Sequence, residues 1–154
     1  MDQYFFNTSA LGKYYPPELG SDRVASIMTQ SDRKVLISKL GFIEIQSVLA
    51  IKVRSGQISR DEAGVQRARL MADVAAGLVE VWSMSPDHFS GAEWLIGRHA
   101  FSNRLRTLDA LQLGVALDLR SQGRLDHFVA ADKVLLAVAR LEGLPSFNPE
   151  DPSS

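Results

Sequence analysis

The chain has 154 residues, 45% of them hydrophobic and 23% charged, which is the size and balance of one globular domain and excludes a disordered, fibrous or membrane-embedded protein. Its formal net charge of −1 excludes the overall basic excess of a non-specific nucleic-acid binder, so any positive surface must be local. The absence of cysteine excludes disulfides, thiolate metal sites and a thiol nucleophile, leaving oxygen and histidine to ligate any metal.

No run approaches the ~20 consecutive apolar residues of a membrane span, and the N-terminus lacks a basic stretch followed by an apolar core and a cleavage site, so the cytoplasm is the expected location. In chain order, Tyr4, Phe5 and Phe6 form an aromatic strand stopped by Asn7, Thr8 and Ser9, residues that suit a turn or a helix cap. Pro16 and Pro17 break any helix begun there, and Ser21 with Asp22 opens a helix carrying Val24, Ile27 and Met28. Val35–Ile37 is a second strand, and Ser38 caps a helix running to about Val53, closed by Gly56. Ser59, three residues before Glu62, forms a capping box for a helix reaching about Leu78. Val79–Trp82 is a third strand, and Pro86 opens a helix from Ser85 to about Phe101. A nearly all-apolar helix spans Thr107–Leu119, a fourth strand His127–Ala131, a helix Asp132–Glu142 closed by Gly143, and a last extended piece Pro145–Phe147. Strands alternating with helices predict an α/β fold with a mostly parallel central sheet flanked by helices on both faces. The domain is expected to span 1–149, with 150–154 as a frayed tail.

In open α/β sheets ligands collect outside the carboxyl ends of the strands, where helix N-termini also point. Asn7 ends the first strand and Asp132 the fourth, so parallel strands place both at one edge; alternatively each is a plain cap. Glu44 interrupts an apolar stripe of Leu40, Val48 and Ile51, and an unpaired buried carboxylate costs several kcal/mol, so it pairs, binds a metal or edges into solvent. Asp109 lies in the first turn of the apolar helix, where the helix dipole alone also tolerates an acid. Together Asn7, Glu44, Asp109 and Asp132 make one amide and three carboxylates suited to Mg²⁺ or Mn²⁺, which relieves their repulsion and leaves room for a phosphate oxygen.

Competing chemistries find less support. There is no Gly-rich phosphate loop and no nucleophile elbow, and His88, His99 and His127 lack ligand spacing and read as structural. Trp82 and Trp94 read as core or subunit-interface residues.

Four segments carry a family resemblance. Tyr-Phe-Phe-Asn-Thr-Ser-Ala-Leu at 4–11, Leu-Gly-Phe-Ile-Glu-Ile-Gln-Ser-Val-Leu-Ala at 40–50, Leu-Arg-Thr-Leu-Asp-Ala-Leu-Gln-Leu at 105–113 and Phe-Val-Ala-Ala-Asp-Lys at 128–133 resemble, in order and spacing, the motifs of PIN-domain ribonucleases of the VapC toxin class. The resemblance implies a three-layer PIN-like fold and a Mg²⁺- or Mn²⁺-dependent endoribonuclease toxin. It also implies a homodimer neutralised by an antitoxin protein, with Asn7, Glu44, Asp109 and Asp132 as catalytic and metal-binding positions. Two positions depart from the pattern. Ala130 stands where threonine or serine is frequent, and Asn7 stands where the family has aspartate, which discards one charge and predicts impaired metal binding and cleavage. An inactive module that binds an antitoxin or RNA without cleavage is the alternative, and a metal-dependent phosphatase or a scaffold of similar shape is the third reading. Lys13, Arg98, Arg104 and Arg106 are the candidate RNA-backbone contacts, Lys52 with Arg54 a further basic pair, and Val48, Leu49 and Trp94 the candidate dimer face.

Overall fold

The computed structural model describes residues 1–15 and 20–152, so the break expected at Pro16 and Pro17, and Ser153 and Ser154 of the tail, lie outside the described residues. The elements are β1 (Asp2–Phe6), α1 (Thr8–Leu11), α2 (Ser21–Thr29), β2 (Arg33–Ser38), α3 (Lys39–Arg54), α4 (Arg60–Ala75), β3 (Val79–Trp82), α5 (Pro86–His99), α6 (Thr107–Ser121), β4 (His127–Val129), α7 (Lys133–Leu141) and β5 (Ser146–Phe147). The strands form one sheet in the order β3-β2-β1-β4-β5. Every pairing is parallel, with Tyr4 opposite both Val35 and His127, and Phe6 opposite Val129.

Side chains alternate across a strand, and here the alternation divides the core in two. Phe5, Leu36 and Phe128 face the layer formed by α5, α6 and α7, where Leu95, Leu113, Val115, Leu135 and Val138 are buried. Tyr4, Phe6, Val35, Ile37 and Val129 face the opposite layer, packing with Ala10, Val24, Ile27, Ile45 and Leu70 of α1, α2, α3 and α4. Both faces of the sheet are therefore covered, giving the three layers and the continuously apolar strands of a buried parallel sheet. Among the described residues no helix is long and apolar enough to cross a membrane.

Local chemistry sets the helix boundaries. The Ser38 hydroxyl accepts from Gly41 N at 2.9 Å and starts α3 directly at the end of β2. Ser59 and Glu62 form the expected capping box on α4. That helix stops at Ala75, short of the Leu78 expected from its pattern, because Gly77 turns the chain at φ 77° and Leu78 N donates back to Asp73 O at 2.9 Å. Strand β4 ends at Val129 instead of Ala131, since the Ala131 N–H is taken by the Ser9 hydroxyl at 2.9 Å. Contacts also continue past residue 149: Glu150 pairs with Lys13, and Arg23 Nη1 donates to Asp151 O at 3.0 Å.

Helices α5 and α6 meet at glycine. A Cβ on Gly114 would stand 3.1 Å from His88 O and 3.5 Å from Ala92 N, so a larger residue must push apart the two helices that support Asp109. Gly114→Val is expected to lower stability by about 1–3 kcal/mol, read as a lower urea midpoint at unchanged slope. An unchanged midpoint would show that this crossing yields without cost.

Candidate active site

Four chain segments converge at the carboxyl edge of the sheet. Asn7 follows β1 directly, and its backbone N–H donates to Val129 O of β4 at 3.0 Å, which sets Asn7 beside the segment leading to Asp132. Glu44 sits in the second turn of α3, and Asp109 in the first turn of α6. All four side chains line one open cavity of about 290 Å³, together with Thr8, Ser9, Gly12, Val48, Lys52 and Arg106. A larger cavity of about 510 Å³ between α3 and α4 is lined by Leu49, Val53, Ala63, Arg54, Arg60 and Arg67, and among the described residues no carboxylate borders it.

The modest roles considered from sequence are also filled. Asp132 caps α7 by accepting from Leu135 N at 3.0 Å, and Asn7 caps α1 by accepting from Ser9 N at 3.1 Å. Capping uses only part of each side chain, so both residues still border the cavity. Glu44 stands at the edge of its apolar stripe: Gly41, Ile45 and Leu49 carry the buried face of α3, whereas Leu40 and Val48 are half-buried and Ile51 is 49% exposed. The stripe read from sequence was thus one position off, and the carboxylate faces the cleft.

Asn7 is 2% exposed and fully engaged. Its Oδ1 accepts from Ser9 N at 3.1 Å and Ser9 Oγ at 2.7 Å, while its Nδ2 donates to Gln112 Oε1 at 3.1 Å and to Asp109 Oδ1 at 3.4 Å. Gln112 in turn accepts from Thr8 N at 3.3 Å and donates from Nε2 to Thr8 Oγ1 at 2.9 Å and to Glu44 Oε1. Thr8 Oγ1 donates to Glu44 Oε1 at 3.3 Å. Thr8, Ser9 and Gln112 were not identified from sequence as site residues. The available signal was Gln112 itself, a polar residue three positions after Asp109 in an otherwise apolar run, hence on the same helix face.

Burial pushes the Asp109 carboxyl above its ordinary value; nearby Asp132 adds to the rise, and the Asn7 hydrogen bond and Arg106 oppose it. Glu44 is raised for the same first reason, with the Gln112 hydrogen bond opposing and Asp109 adding. Arg106 Nη2 lies 4.0 Å from Asp132 Oδ2 at the cavity mouth. Hard oxygens from Glu44, Asp109 and Asp132 are the donor type that Mg²⁺ or Mn²⁺ takes. Among the described residues, however, no three His, Asp or Glu side chains are grouped closely enough to hold a metal by themselves. At the fourth corner, Asn7 turns an N–H toward Asp109, a donor where a cation would need an acceptor.

The remaining candidates are spread out. Lys13 is 8% exposed, with its ammonium group on Glu150, so it is no part of the cavity rim. Arg98 pairs with Glu142 at 3.1 Å and stacks on Trp94 on the outer face of α5, and Arg104 is exposed in the loop before α6. Of the four expected RNA contacts only Arg106 lines the cavity. Leu49 of the candidate dimer face is only 3% exposed, because it lies on the core side of α3, whereas Trp94 is 53% exposed. The histidines have structural partners. His88 Nδ1 accepts from Ser85 N at 3.0 Å, so its Nε2 donates to Asp118 at 2.8 Å; His99 pairs with Glu142, and His127 stacks on Tyr4. Arg124 lies 4.3 Å over the half-buried Trp82 ring.

No family model and no curated protein sequence matches the chain. Solved structures do. PAE2754 from Pyrobaculum aerophilum superposes with a TM-score of 0.66 at 19% identity, over 97% of this chain and 90% of that one. VapC20 of Mycobacterium tuberculosis, a sarcin-ricin loop cleaving toxin, gives 0.63 at 17% identity, over 87% and 93%. A chain of VapBC2 from Rickettsia felis, bound to a DNA fragment from its promoter, gives 0.63 at 12% identity, over 95% and 98%. The protein therefore has the three-layer, PIN-like α/β fold of these structures.

The acids also shape the response to pH. Because folding raises the Asp109 pKa, this group stabilises the fold fully below its ordinary value of 3.8, and that contribution is lost as pH rises through the folded value. At about pH 7, well above the ordinary value, the buried acid is thus a net cost. Asp109→Asn is expected to melt higher than the parent at about pH 7 and to lose that advantage as pH falls toward about 4. A constant difference across that range would show that Asp109 carries no such cost.

Proposed function

We propose that this protein is a VapC-like toxin built on a metal-dependent endoribonuclease site, with cleavage impaired by Asn7. The observation that carries the reading is the convergence of Asn7, Glu44, Asp109 and Asp132, from four separate segments, on one cavity at the carboxyl edge of the sheet. The fold shared with VapC20 supports it, as does the agreement of these four positions with the family's motifs in order and spacing.

In this reading Glu44, Asp109 and Asp132 would hold Mg²⁺ or Mn²⁺ once drawn closer together than they stand here, and the ion would supply charge neutralisation and Lewis acidity toward a phosphodiester. The chain's own residues prepare the site. Gln112 and Thr8 hold the Glu44 carboxylate, and burial keeps the dielectric low around Asp109. Arg106 offers a guanidinium at the mouth for a phosphate. Asn7 keeps the shape of aspartate but removes a charge, and its Oδ1 is already committed to Ser9. The same observation favours a second reading, a module that binds RNA or an antitoxin without cutting. An antitoxin protein as partner, a homodimer and a cytoplasmic location complete the proposal.

Asn7→Asp is expected to cleave a mixed structured-RNA pool at least about tenfold faster than the parent in Mg²⁺ or Mn²⁺, with EDTA abolishing the gain. Equal rates in the two proteins would sink the impairment. No cleavage by either, with RNA binding retained, would support the binding module, and hydrolysis of small phosphate esters alone would point to a phosphatase. Arg106→Gln is expected to weaken RNA binding and to reduce the slope of log affinity against log salt by about 0.7–0.9. An unaltered slope would remove Arg106 from the phosphate path.

A further inference from the structure

Between Asp109 and Asp118, Gln112 is the one polar side chain of α6, and it is 0% exposed. A buried amide retains its place only if all its polar atoms find partners, and here they do. Its orientation is fixed by a group that has no choice: the Thr8 backbone N–H is a donor alone, so Oε1 must face it at 3.3 Å. The same holds one residue further on, where the Ser9 backbone N–H fixes the Asn7 Oδ1. The Asn7 Nδ2 is thereby aimed at two oxygens, Gln112 Oε1 at 3.1 Å and Asp109 Oδ1 at 3.4 Å.

We infer that Gln112 is a positioning residue that selects the chemistry of residue 7: by presenting a carbonyl oxygen to it, Gln112 favours an amide there over a carboxylate whenever no cation is bound. An isosteric carboxylate would set an oxygen where Nδ2 now donates, against Gln112 Oε1 and Asp109 Oδ1. Rotating the Gln112 amide gives no relief, because Oε1 would then meet the Glu44 carboxylate and Nε2 the Thr8 N–H. The Asn7 amide does here what a cation would do for an aspartate, holding two electronegative neighbours together. This inference deepens the proposed reading of the site and rests on residues 7, 44 and 109 forming one unit.

A double-mutant cycle in EDTA tests it without requiring metal or activity. Asn7→Asp is expected to lower the melting midpoint by roughly 3–8 °C in the parent and by less than half as much in the Gln112→Met protein. Equal drops in both backgrounds overturn the inference. Gln112→Glu, isosteric with the parent, is the second background and is expected to enlarge the drop; an unchanged or smaller drop also overturns it. In ¹⁵N spectra the Asn7 side-chain amide protons are expected to exchange slowly in the parent and quickly in folded Gln112→Met, and protection that persists counts against the inference. Adding Mn²⁺ to Asn7→Asp separates the two ideas. Recovery of the midpoint supports the metal site, whereas no recovery alongside intact coupling sinks the metal reading and leaves the role of Gln112 standing.

Discussion

The parallel pairing of β1 with β2 on one side and β4 on the other is the constraint on which the rest of the molecule depends. Parallel strands cannot be joined by tight hairpins, so each connection must climb over a face of the sheet as a helix. Every strand then leaves the sheet at the same edge, and every following helix starts there. Asn7, the Ser38 cap that launches the helix of Glu44, and Asp132 share a neighbourhood because of that geometry. Asp109 joins them from α6, whose first turn reaches the same cavity.

Gathering acids in one place opposes folding, and the chain answers with hydrogen bonds. Asp109 and Glu44 are both held above their ordinary carboxyl values by burial, and each is near other acids. The amides of Asn7 and Gln112 and the hydroxyls of Thr8 and Ser9 link α1 and its cap, α3, α6 and the segment that precedes Asp132. A site of this kind gives up stability to place charge, and the neutral residue at position 7 adds no further charge to that loss.

Support for α6 comes from the far side. Gly114 lets α5 approach closely, His88 ties α5 to Asp118, and His99 with Arg98 ties it to Glu142 just beyond α7. These contacts lie away from the cavity, so the histidines act on the site only through the helices they brace. Lys13 does comparable work near α1, joined to the C-terminal segment through Glu150.

The sequence by itself determined the alternation of strands and helices, most of the caps and the four cavity residues, because these depend on local patterns: aromatic or β-branched runs, Ser, Asp and Gly at boundaries, and acids where apolar residues are expected. Boundaries slipped where a distant or non-helical partner decided them, as at Ala131, whose N–H goes to Ser9, and at Leu78, turned by Gly77. Only the tertiary structure decided the strand order, the burial of Lys13 and Leu49, and the turning of the Asn7 amide toward Asp109 and Gln112. Those depend on groups about a hundred residues apart in the chain meeting across the sheet edge, and no local pattern encodes which atom of an amide will face which neighbour.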